Sequence, residues 1–136
     1  MLQKKRSIQI LLIALLIAAS AMTSYAVEID TEVILAERKD KFLAFSGVND
    51  HWVSEDKRLS ERILAKATEG NVGIIITHRR ILGFSVITDQ WTSEDLKVSE
   101  NIKDITIEIE GNVATMTTPT RVIGYSANTG RWVEFE

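Results

Sequence analysis

Polar and apolar residues alternate most plainly over residues 105–110, where Ile105, Ile107 and Ile109 are separated by Thr106, Glu108 and Glu110. In a strand, successive side chains point to opposite faces, so this alternation predicts a half-buried β-strand. Residues 63–69 and 27–30 predict two further strands of the same kind. Gly70-Asn71 and Gly111-Asn112 follow two of these segments directly. Gly before Asn suits a tight hairpin, because Gly enters positive φ without a steric penalty. The next run, 72–77 in its clearest form, is apolar and β-branched, as a buried strand requires. The pattern breaks at His78-Arg79 and at Pro119-Thr120 and resumes over 80–85 and 121–126. Turn formers then occupy 48–50, 87–89 and 128–130, and a last strand is expected over 52–56, 91–95 and 132–136. Each unit is therefore expected to be a four-stranded antiparallel meander.

The units share a 21-residue block, at 32–52, 71–91 and 112–132. Its columns hold Val33/Val72/Val113, Lys41/Arg80/Arg121, Leu43/Leu82/Ile123, Phe45/Phe84/Tyr125, Ser46/Ser85/Ser126 and Trp52/Trp91/Trp132. All three tryptophans of the protein lie in the last column, spaced by 39 and 41 residues. Repeats of about 40 residues with four strands each are expected where every sheet has a face that only a neighbouring sheet can bury. A strand ending in an aromatic, a polar turn and then a Trp opening the outer strand together resemble a kelch-type or related β-propeller repeat. The resemblance is one of architecture and implies an all-β fold of propeller-like blades, with repeats at 27–62, 63–101 and 102–136.

Three repeats leave two architectures open. Propellers have roughly four to eight blades, so one solution is two chains completing a six-bladed ring. The other is a β-trefoil, a closed barrel of three four-stranded units. An open stack of three sheets would leave two apolar faces in water, and such faces usually mark interaction surfaces.

The first 26 residues stand apart from the repeats. Lys4, Lys5 and Arg6 precede ten unbroken apolar residues, 10–19, and Ser24-Tyr25-Ala26 supplies small residues for a cut after Ala26. These are the marks of a secretory signal peptide. The apolar run is half of the roughly 20 residues that span a bilayer. Its removal takes Lys+Arg from 16 to 13 against 19 Asp+Glu, so the net charge passes from -3 to -6. Such an acidic chain lacks the electrostatic footprint of a nucleic-acid or anionic-membrane binder. The sequence contains no Cys, although export leads to compartments where disulfides form.

Candidate chemistry is sparse. His51 and His78 fall in different columns, and no ligand set of metal-site spacing accompanies them. The serine column has no partner His within a copy, which argues against a Ser-His nucleophile. The Trp column offers flat apolar faces to a sugar ring, with His51, Gln90 and Arg131 beside Trp52, Trp91 and Trp132, or else it docks each sheet on its neighbour. The basic column at Lys41, Arg80 and Arg121 could clamp a carboxylate, but it is expected rather to cover apolar surface with its stem while the head stays in water. Glu55-Asp56 and Glu94-Asp95 are expected to form a solvated edge. The function expected is an exported, secreted or periplasmic, non-enzymatic binding or assembly module without cofactor or metal. Its expected partners are a second copy of the chain and a protein or glycan ligand. The alternative is a lectin-like protein that binds carbohydrate through the Trp positions.

Overall fold

The computed structural model describes residues 31–135. The expected signal peptide and the strand expected over 27–30 lie outside the described residues. Among the described residues, eleven strands form three antiparallel sheets. Sheet I contains β1 (Val33–Glu37), β2 (Lys41–Ser46) and β3 (His51–Asp56). Sheet II contains β4 (Ile63–Glu69), β5 (Val72–Thr77), β6 (Arg80–Ser85) and β7 (Gln90–Asp95). Sheet III contains β8 (Thr106–Glu110), β9 (Val113–Thr117), β10 (Val122–Ser126) and β11 (Arg131–Glu134). Within each sheet the strands pair in chain order, so the chain is all-β and meandering. No closed barrel forms among the described residues, and a trefoil requires one.

The three sheets share a register. Phe45 lies opposite Trp52, Phe84 opposite Trp91 and Tyr125 opposite Trp132. Their ring centroids are 5.2, 5.4 and 4.8 Å apart and tilted, an arrangement favoured between aromatic quadrupoles. The turn before the last strand passes through the left-handed region at the same place in each sheet, at Asp50, Asp89 and Gly130, with φ of 55°, 56° and 64°. Asp tolerates that conformation better than most residues with a side chain.

Packing follows chain order, with the principal contacts between sheets joining I to II and II to III. Between I and II lie Val33, Leu35, Phe42, Ala44, Ile75, Leu82, Phe84 and Val86. Between II and III, Val72, Ile74, Ile76 and Ile81 meet Ala114, Met116, Ile123 and Tyr125. Because sheet II is covered on both faces, β5 and β6 are buried at every position, and VGIIIT has no alternation to show. In β8 the alternation survives, because Thr106, Glu108 and Glu110 remain in water.

Candidate functional site

The two junctions between sheets are built from the same parts. At the first, the Trp91 indole Nε1–H donates to the Val53 carbonyl at 3.1 Å. At the second, the Trp132 Nε1–H donates to the Thr92 carbonyl at 3.4 Å. In each case the acceptor is the residue after the preceding sheet's own Trp. Asn49 Nδ2 also donates across the first junction, to the Val86 carbonyl at 3.0 Å, and the Ser85 hydroxyl donates across the second to the Ala127 carbonyl.

An arginine locks each junction. Arg80 opens β6 and donates from Nε and Nη2 to both carboxylate oxygens of Glu61, at 2.9 and 3.1 Å. Its Nη2 also donates to the Asp56 carbonyl and its Nη1 to Glu55, both at 2.8 Å, and these acceptors end sheet I. Arg121 repeats the arrangement, with Glu100 at 2.6 and 2.9 Å and the Asp95 carbonyl at 2.9 Å. Thr77 and Thr118 donate to the same carboxylates, as do the backbone N–H groups of Arg58 and Lys97. A forked arginine on a carboxylate satisfies two donors in one geometry, which a lysine cannot match.

These pairs are buried. Glu61 and Glu100 have side chains with no exposed surface, and those of Arg80 and Arg121 are only 5% and 4% exposed. Burial alone would push the Glu61 carboxyl up, but hydrogen bonds from Arg80, the Arg58 N–H and Thr77 hold it below its ordinary 4.5. Glu100 is lowered in the same way, burial being outweighed by Arg121 and the Lys97 N–H. Hydrogen bonding to Glu100 raises Arg121 in turn, against its own desolvation. The expectation that this column keeps its heads in water is therefore corrected at Arg80 and Arg121. It holds only nearer to Lys41, whose Nζ lies 2.6 Å from Asp56 of its own sheet with the side chain 39% exposed. Glu55 is likewise drawn out of the expected solvated edge by Arg80.

Sequence reasoning missed Glu61 and Glu100 altogether. A signal was present, since Arg58-Leu59-Ser60-Glu61 and Lys97-Val98-Ser99-Glu100 follow the two Trp-x-Ser-Glu-Asp segments at equal distance.

The six candidate ligand-binding residues do not converge. Trp91 and Trp132 are partly covered within the junctions, whereas Trp52 is 52% exposed on the outer face of sheet I. Around it, Arg38, Asp40, Lys41, Leu43 and Ser54 line a shallow groove. His51 contacts sheet II, its Nε2 lying 2.7 Å from Asp89, and the hydrogen bond to Asp89 raises its pKa above the ordinary 6.5. Gln90 and Arg131 are exposed at the starts of β7 and β11. The outer face of sheet III carries a second groove, lined by Thr115, Val122, Gly124, Val133, Glu134 and Phe135. Among the described residues no three His, Asp or Glu side chains gather as a metal site would require. No helix of the described residues is long and apolar enough to cross a membrane.

No family model matches this chain, and no curated protein or solved structure is found to be similar to it.

Proposed function

We propose that the chain is an exported, non-enzymatic binding or assembly module whose three sheets are propeller-like blades of kelch-like architecture. Two chains together make a six-bladed ring. One observation carries this reading: among the described residues the central strands of sheet II are buried on both faces, while sheets I and III each keep an apolar outer face. Trp52 and Ile34 lie bare on one, Val133 and Val113 on the other. Apolar faces of this kind on a small domain are interaction surfaces. The solution mass of the chain recovered after export, with its N-terminus read by mass spectrometry, tests the reading. A dimer that keeps its mass on dilution is expected, and a stable monomer sinks the ring.

Glycan binding is the second reading, and the groove beside Trp52 favours it, since a half-bare indole there stands next to Arg38, Asp40 and Lys41. It engages one tryptophan rather than three, because the indole N–H groups of Trp91 and Trp132 already serve the junctions. Glycan-array binding lost in Trp52→Ala is its expected signature. Binding unchanged in that variant would remove it.

A further inference from the structure

The two outer faces carry the same columns of residues that meet at the internal junctions. In each internal junction the later sheet supplies an aromatic from the Phe45/Phe84/Tyr125 column, and the earlier sheet supplies a small residue to receive it. At the second junction that residue is Gly83, where an added Cβ would stand 2.7 Å from the Tyr125 ring. The corresponding residue at the first junction is Ala44, buried together with Phe84. In sheet III the column holds Gly124, and the nearest atom to a Cβ built there is the Val133 carbonyl oxygen at 3.9 Å. Its seat is formed and vacant among the described residues.

Sheet I carries what would fill it. Phe45 and Trp52 pair on its outer face just as Phe84 with Trp91 and Tyr125 with Trp132 pair inside the junctions. The acceptors of the junction indoles are Val53 and Thr92, and the same column in sheet III is Val133, 67% exposed. Charge agrees with shape. Where His51 of the earlier sheet meets Asp89 of the later one at the first junction, the equivalent pair between sheet III and a following sheet I is Arg131 and Asp50. Both are exposed.

We propose that sheet III of one copy receives sheet I of a second copy in the register of the internal junctions. Phe45 sits over Gly124, the Trp52 indole N–H donates to the Val133 carbonyl, and Arg131 pairs with Asp50. The contact is head to tail, and it closes when the second copy returns the same contact to the first. This rests on the six-bladed reading and adds to it which faces meet and in what register.

Gly124→Arg and Trp52→Ser test the proposal, each measured by light scattering on the exported chain, with circular dichroism to confirm the fold. Both sites are open in the single chain, so both variants are expected to fold. Each alone is expected to be monomeric, with self-association weakened at least about a hundredfold. Mixed in equal amounts they are expected to form a heterodimer, because one of its two junctions contains only unaltered faces. If unaltered chains pair but Gly124→Arg still dimerises, the head-to-tail contact is wrong while assembly through another surface stands. A mixture that stays monomeric also overturns it. If the unaltered chain is a monomer, with its outer faces covered by its own first residues or left in water, the contact and the ring both fall.

Discussion

Trp91 and Trp52 hold the same place in two sheets of the same register, yet one is bonded beneath its neighbour and the other is half bare. The same contrast separates Arg80, locked on a buried Glu61, from Lys41, paired in water with Asp56. Among the described residues, sheet II has sheet I packed on its aromatic face, and no sheet packs on the same face of sheet I. A column of like residues in a repeat thus defines a possible contact, and the presence of a neighbour decides whether it is made.

The sharpest way to break that contrast is to remove the arginine. Arg80→Met would leave Glu61 buried without its cation, and a loss of about 3–5 kcal/mol in chemical unfolding is expected. Lys41→Met, which removes only an exposed ion pair within sheet I, is expected to lower the unfolding midpoint far less. The same contrast extends to acid. Because Glu61 and Glu100 are lowered in the folded chain, their contribution is complete above the ordinary 4.5 and is lost as pH falls through their lowered values. Arg80→Met is therefore expected to flatten the acid limb of a stability profile, and an unflattened limb would place the acid sensitivity elsewhere.

A smaller effect separates the two glycines. Gly83→Ala forces a methyl group against the Tyr125 ring, and a loss of about 1–3 kcal/mol is expected from overpacking. Gly124→Ala meets nothing nearer than the Val133 carbonyl oxygen at 3.9 Å, an ordinary contact, and its thermal midpoint in the single chain is expected to match or slightly exceed that of the parent. Equal losses at both sites would mean that the seat of sheet III is already filled.

The smallest effect concerns pH near neutrality. His51 is raised by its bond to Asp89, so its contribution is present below about 6.5 and fades as pH climbs through the raised value. Asp89→Asn is expected to return the His51 titration, followed by NMR, toward the ordinary value. A midpoint that does not move would show that the pair is not held in solution.

Much of the strand order was legible, because alternation at 105–110 and the Gly-Asn turns depend on neighbours in the chain. The expected edges agree with the observed strands at β4 and β5, whereas the last strand, expected over 132–136, begins at Arg131 and ends at Glu134. The locks between sheets were not legible in the same way. Glu61 stands 19 residues before Arg80, in a connecting loop outside the shared block, and a buried acid in a loop runs against the usual preference of charge for water. The exposure of Trp52 was hidden for another reason. Its local sequence is as good a junction as that of Trp91, and no local pattern records whether another sheet packs against it.

The unbroken burial of β5 and β6 bears on how the chain comes into being. A hairpin apolar on both sides has no face it can safely show to water. During synthesis its sheet I cover precedes it, but the cover from sheet III arrives only after residues 113–126 have emerged. In that interval VGIIIT, uncharged and free of proline, has the character of a segment that stacks on its own kind. The central sheet that binds the finished molecule together is thus the one that most needs shelter while the molecule is still being made.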